Sequence, residues 1–572
     1  MKQEGPYKVC DYSFEELRAL LFVDNNAVRD DHESNCVVDY LENYLDDLKS
    51  KTIILESRYT DSDYLDDYTA YYARCFTDFN KRTRRIHLFD YPFTQEAFEQ
   101  CLSGKAPSLR DLLECPKSKH YLGFIVIRPL PRTFVGRTCL RTSTDNDGAR
   151  SYPVTRTYHA NLFGIRLSLE TLAFQEQDHE VAACATSALW SLFHGSSVRF
   201  GHSVPSPSAI TSTATSSIPD WLKANPDTRR FPNSGLSTAQ ICAAIRSVGL
   251  EAFLIGALKP GDEETSTRKD NHSTRSCQRS IDGLSKRANI NGAAYAYLSA
   301  GIPILMVCSL KEPKRAAETT AGIQKKLEGE TCVDRGFHAV TLTGYSLENG
   351  LSSVTHKQYS IALRAMRIDK LYAHDDQIGP FAEMAWRDDD RSLDTKWYKS
   401  AGRTIYAVPD CLIVPLTPKI RIPYETIEES VFQLDPRLGE FSSSGYPAGK
   451  QVEWEIRLVT VNVLKSEIID DSSISMEERI RLLSLDLPKH LWLAAGWVAD
   501  TYYPAKKQIE FIVDATALKQ EGGLIDAIIR DTYLPSALGS SLKNVKIPDA
   551  ENATIQVSSL TRQIYSYLIA FA

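Results

Sequence analysis

The sequence predicts an α+β protein whose central module packs a cysteine-bearing helix on an antiparallel sheet, with a further mixed module on each side. Three observations predict this. Helix-period and strand-period segments alternate through residues 1–155. A helix with small residues in its first turns begins near Cys184. Two strand patterns, RGFHAVTLTGY at 335–345 and AMRIDKLYAHDDQIGPF at 365–381, follow far downstream of it. With 572 residues, about three domains are expected. Their boundaries fall at 1–155 (α/β), 156–415 (the cysteine-bearing module) and 416–572 (α+β).

In the first module, Val37–Leu48 carries apolar residues at helical spacing and Thr52–Leu55 reads as a short buried strand. Tyr64–Phe76 reads as helix and Ile86–Phe89 as strand. Thr94 is placed to cap the helix TQEAFEQCL, because its hydroxyl can accept from a free amide of the first turn. Tyr121–Arg128 is a strand stopped by Pro129 and Pro131. In the last module, Glu453–Leu464 and Leu491–Ala499 read as strands, as does Ile509–Val513, and Met476–Leu485 reads as helix.

The chemistry is carried by the central module. From Val181 the apolar residues recur at 184, 188, 189, 192 and 193, which is helical spacing. Cys184 then stands where free backbone N–H groups and a partial positive charge favour thiolate. A free cysteine is also an ordinary small core residue, so Cys184 gains meaning only with partners. His338 opens an alternating strand that closes at Gly344. An imidazole there can take the thiol proton and later protonate a leaving group. Asp375 and Asp376 stand at the end of the next strand pattern, where a carboxylate can fix the imidazole tautomer. Side chains alternate along a strand, so only one of the two is expected to face His338. His374 is a competing imidazole inside that segment. Gln177, with Gln175 as the alternative, can offer an amide to an oxyanion beside the Cys184 N–H.

Two further units fit between these. Leu236–Ala252 has Ser237 as N-cap and Gly249 as C-cap of a helix leading into a strand. Ala294–Val307 reads as helix, a Gly301-Ile302-Pro303 turn and a buried strand, which would lie immediately before the His338 strand. Three polar segments, near 203–235, 259–287 and 311–335, read as loops or insertions.

This order of pieces resembles the bacterial papain-like cysteine peptidases that cleave double-glycine leader peptides, and their wider relatives, over residues 160–390. The matching pieces are Gln177, Cys184, Val248-Gly249-Leu250, Gly301-Ile302-Pro303, His338-Ala339-Val340 and Asp375 or Asp376. The resemblance implies a papain-like fold and a thiol amide hydrolase acting through an acyl-enzyme on a protein or peptide. The same triad serves acyl transfer to an amine, and such a scaffold also serves as a non-catalytic interaction module. The chain departs from the family at Ala185, where Gly is usual, and Gln177 lies seven residues before the cysteine rather than six.

Composition excludes other classes. The chain is 43% hydrophobic and 24% charged with net charge −7, so neither nucleic acid nor an anionic membrane is an expected partner. The twelve cysteines form no CxxC pair and no zinc spacing, so no metal or cofactor is expected. The N-terminal residues MKQEGPYKVC lack an apolar stretch typical of a secretory signal, and the expected setting is cytoplasmic with reduced thiols.

Overall fold

The computed structural model describes residues 5–22, 36–114, 120–143, 149–178, 180–216, 231, 235–257, 274–313, 332–350, 361–399, 403–440, 452–500, 503–518 and 523–529. It is a mixed α and β structure built on three larger sheets and a hairpin. The first sheet joins β1 (Tyr7–Asp11), β2 (Thr52–Tyr59), β3 (Thr83–Phe89), β4 (Tyr121–Ile127) and β5 (Val135–Leu140), each antiparallel to the next. Helices α1 (Phe14–Phe22), α2 (Cys36–Asp47), α3 (Ser62–Ala70), α4 (Gln95–Leu102) and α5 (Pro107–Glu114) lie between its strands in sequence. The Thr94 hydroxyl accepts from the Ala97 amide and so caps α4, as expected for an N-cap threonine. The helix expected over Tyr64–Phe76 stops at Ala70, and a 3₁₀ turn at Tyr72–Arg74 follows.

A short strand, β6 (Arg150–Ser151), and the hairpin of β7 (Arg156–Leu162) and β8 (Ile165–Thr171) lead into the central module. It contains α6 (Cys184–Phe200), α7 (Pro207–Ser216), α8 (Thr238–Ser247), β9 (Glu251–Gly256), α9 (Thr274–Leu298), β10 (Ile304–Pro313) and β11 (Cys332–Leu347). After β12 (Ala362–Leu363) come β13 (Ile368–Asp375), β14 (Gly379–Trp386), β15 (Leu393–Lys399) and β16 (Arg403–Leu416). The sheet order is β10-β11-β13-β14-β15-β16-β9, and β10 also pairs with β16. That pairing closes β10, β11, β13, β14, β15 and β16 into a six-stranded barrel, with β9 added beside β16.

The strand before the His338 strand is the one expected, since β10 and β11 pair antiparallel with Cys308 opposite His338. His338 is not at a strand start, however. β11 begins at Cys332, because the polar segment read as an insertion from 311 is partly used to lengthen both strands. The segment 203–235 likewise contains α7, and 259–287 contains the start of α9. Within the three insertions, 217–230, 232–234, 259–273 and 314–331 lie outside the described residues. At Ser237 a full capping box closes α8, and Gly249 follows with φ +84°, a conformation glycine adopts without a Cβ penalty.

The last sheet runs β12-β17-β18-β19-β20, from β17 (Val452–Thr460), β18 (His490–Asp500), β19 (Tyr503–Asp514) and β20 (Leu524–Ile529). Its helices are α10 (Tyr424–Glu440), α11 (Val461–Asp470) and α12 (Met476–Leu483). The strand expected over Glu453–Leu464 turns into α11 at Val461, where a helical period takes over. No described helix is long and apolar enough to cross a membrane.

Candidate active site

The site starts from a helix that is buried all round. In α6 every residue from Ala185 to Ser196 is buried, which makes it a central core helix. Several polar groups on it are bonded to its neighbours, whereas Ser187 Oγ and His194 Nε2 are buried without a hydrogen-bond partner among the described residues. Trp190 Nε1 donates to Asp63 Oδ2 at 3.1 Å, Ser191 to the Ala173 carbonyl at 3.0 Å, and Thr341 of β11 to the Ala188 carbonyl at 2.6 Å. Cys184 is the first residue of α6, half-buried as a free thiol, after an N-cap Ala183 whose backbone is extended.

The approach to the cysteine is folded by Asp178, which the sequence reading did not single out. Its Oδ1 accepts from the amides of Glu180, Val181 and Ala182 at 3.0, 2.8 and 2.7 Å. Its Oδ2 accepts from the Tyr72 hydroxyl at 2.8 Å, which ties this turn to the first module. An aspartate collecting the amides two to four residues on is an Asx-type turn, so the QDHEVAAC stretch held a signal for it.

His338 and its carboxylates come together at one end of the barrel. The register Thr341 opposite His374 carries the residues after His374 alongside the segment from 338 to 340. A shift between Ala373 and Asp375 in the β13–β14 pairing re-aims the end of β13. His338 Nε2 pairs with Asp375 Oδ1 at 3.1 Å, and Asp376 Oδ1 lies 3.6 Å from the same nitrogen. The expectation that only one of the two carboxylates faces the imidazole is thus corrected. Strand alternation ends at Asp375, and Asp376 sits in the turn that follows. Only Asp375 makes the hydrogen bond.

Asp375 is held on all sides. Its Oδ1 also accepts from the Gln377 amide at 3.1 Å, and its Oδ2 accepts from Trp397 Nε1 at 2.8 Å. The Trp397 ring stands edge-on to the His338 ring, with centroids 4.9 Å apart. Trp397 comes from β15, and nothing in its local sequence marks it. His338, Asp375 and Asp376 are 4, 3 and 4% exposed, so their charges act on one another through little water.

Burial disfavours a charged His338, but the Asp375 carboxylate and its hydrogen bond, the nearby Cys184 side chain and Asp376 outweigh it. The imidazole is held well above its ordinary range. Burial pushes the Asp375 carboxyl up, yet the His338 charge and the bonds from His338, Trp397 and Gln377 carry it below the usual value. Asp376 goes the other way. Burial and the charge on Asp375 push it up to about 7, and both its oxygens lack a hydrogen-bond partner among the described residues. Glu176 is buried too and is pushed up to about 8, first by burial and partly by Asp376. One buried imidazolium favours ionisation of one carboxylate, Asp375, and burial raises the neighbouring Asp376 and Glu176.

Other expected residues separate out. His374 accepts from the Phe381 amide at Nδ1, packs on Phe381 and Phe174, and is pushed down to about 3 by burial, which leaves it a neutral core histidine. Gln175 and Gln177 are both buried; Gln175 Nε2 has no partner, whereas Gln177 is engaged. Donor atoms of His338, Asp375 and Asp376 lie within 4.8 Å of one another, a set that can hold a metal ion. In this geometry His338 Nε2 and Asp375 Oδ1 are already committed to each other and Asp375 Oδ2 to Trp397, whereas the Asp376 oxygens carry no hydrogen bond among the described residues. Compared with known proteins, the sequence matches no family model and no curated protein.

Proposed function

We propose that the chain is a cysteine peptidase of papain-like kind, a thiol amide hydrolase working through an acyl-enzyme. One observation carries this reading: the imidazole beside the half-buried Cys184 at a helix start is paired through Nε2 to a buried carboxylate that also accepts from Trp397. Cys184 attacks the acyl carbon of an amide. His338 takes the thiol proton and delivers it to the leaving amine, and Asp375 holds the ring and its charge. The first amides of α6, with Gln175 or Gln177, would face the oxyanion. Water then releases the acyl group. A protein or peptide is the proposed substrate and a cytoplasmic setting the proposed one.

The test needs no known substrate. Iodoacetamide should label Cys184 first among the twelve cysteines, and His338→Ala should abolish that preference. Equal labelling of Cys184 and the other accessible thiols would sink the reading. Transfer of the acyl group to an amine uses the same residues, and Cys184-dependent incorporation of a labelled amine would reassign the acceptor.

A further inference from the structure

A second site lies at the opposite end of α6. Cys184 opens this helix and Arg199 stands in its last turn, fifteen residues on, which is about 22 Å along the axis. There a groove of about 210 Å³ opens between the ends of α6 and α9 and the β17–α11 and β18 segments. Its lining includes Arg199, Arg457, Lys489 and His490 and no carboxylate. Arg457 is neutralised by Glu467, with two bonds of 2.9 and 3.0 Å. Arg199 and Lys489 are exposed and have no carboxylate partner among the described residues.

The wall of the groove is the start of α11. Thr460 is its N-cap, yet its hydroxyl makes no capping bond. The Val461 amide is taken by the Lys489 carbonyl at 3.0 Å, so the next amides, of Asn462 and Val463, are the ones the threonine leaves uncapped. Such amides and the helix dipole favour an anion. The second, independent observation is His490. It is the cross-strand partner of Thr460, is only 7% exposed, lines the groove, and has no hydrogen-bond partner among the described residues. The ring is more than nine-tenths covered, but its nitrogens are not sealed off from the groove, so a ligand there can pair with them. Burial, Lys489 and Lys419 all push its imidazole down, as expected where positive charge has no counter-charge.

We infer that this groove binds a phosphoryl group, held by the α11 N-terminus, His490, Lys489 and Arg199. Arginine and lysine supply charge-assisted donors, the helix supplies directional amides, and the cavity takes a tetrahedral anion with part of its carrier. Neither Cys184 nor His338 takes part, so this inference stands or falls apart from the peptidase reading.

The experiment is calorimetric titration of the full chain with inorganic phosphate, in dilute chloride buffer. Saturable one-site binding is expected. Arg199→Gln and Lys489→Gln, both at exposed positions, should each weaken it about tenfold. Lys105→Gln, an exposed lysine elsewhere, should leave it unchanged. His490→Gln, checked for folding by its thermal midpoint, should also weaken binding. O-phosphoserine binding more tightly than phosphate would assign the site to a phosphomonoester, and the reverse order to free phosphate. Absence of saturable binding, equal loss in Lys105→Gln, or acetate binding as well as phosphate would overturn the inference.

Discussion

Asp375→Asn replaces one carboxylate oxygen by an amide nitrogen and tests most of the electrostatics of the site. In the native structure Oδ1 serves His338 and the Gln377 amide, and Oδ2 serves the Trp397 indole. Unit charges about 4 Å apart interact by about 4 kcal/mol at an effective dielectric of 20. That equals about three pKa units on the imidazole. Not all of it should be lost. Asp376 Oδ1 is 3.6 Å from the same nitrogen, and its pKa is pushed up by burial and partly by Asp375. Once Asp375 is neutral, Asp376 ionises more readily and supplies part of the field. The expected fall in the His338 pKa is therefore about one to three units, and Asp375→Asn/Asp376→Asn should fall further than the single variant. The assay is the pH dependence of iodoacetamide modification at Cys184, followed by peptide mass spectrometry, in which the alkaline inflection reports His338. The substitution has a second cost. If the asparagine oxygen serves His338 and Gln377, its amide group meets the Trp397 N–H donor to donor. One unpaired buried donor costs about 1–3 kcal/mol of stability. Trp397→Phe, which removes that N–H, should restore part of the loss in the Asp375→Asn background. An inflection that stays in place in Asp375→Asn, or no coupling between positions 375 and 397, would refute the reasoning.

Three further outcomes are expected. Asp178→Ala removes the acceptor of three amides and the Tyr72 hydroxyl, so it should cost about 2–4 kcal/mol in denaturant unfolding and remove the preferential alkylation of Cys184; a native alkylation profile would show that this turn does not position the helix start. Glu176 and Asp376 are raised to about 8 and about 7, so the folded chain holds protons that the unfolded chain releases near pH 4. Stability from these groups is complete below that pH and is lost as pH rises through about 7–8, so the thermal midpoint should drop from pH 6 to pH 9. Glu176→Gln and Asp376→Asn should each flatten that slope, and an unchanged slope in both would count against the raised values. Gly301 has φ +69°, and a Cβ there would meet Arg199 Nη2 at 2.2 Å. Gly301→Ala should cost about 1–2 kcal/mol in chemical denaturation, and a cost near zero would mean that the turn relaxes freely.

Much of the local structure was legible because short-range rules decide it. Ser237 and Thr94 cap helices through side-chain geometry confined to four residues. Gly249 and Gly301 take positive φ where the sequence placed turns. Boundaries were read less well where tertiary pairing extended an element. β11 reaches back to Cys332 because β10 continues beside it to Pro313, so His338 lies inside a strand rather than at its start. The Glu453–Leu464 strand is cut at Thr460 because β18 pairs only as far as His490.

The candidate site divides in the same way. The sequence by itself determined the order of a helix-borne cysteine, a strand-borne histidine and a carboxylate pair, because each depends on local period and residue type. Only the tertiary structure decided which carboxylate bonds the imidazole. The strand ends at Asp375 and the chain turns, so both acids reach His338, but the Gln377 amide and Trp397 indole reward ionisation of Asp375 alone. Trp397 and Glu176 were beyond the sequence's reach, since their roles come from contacts between segments far apart along the chain, whereas the turn at Asp178 is local and only its Tyr72 bond is not. Burial decides the rest: in a site with little water, the protonation of each acid is set by its neighbours in space, and a sequence does not list them.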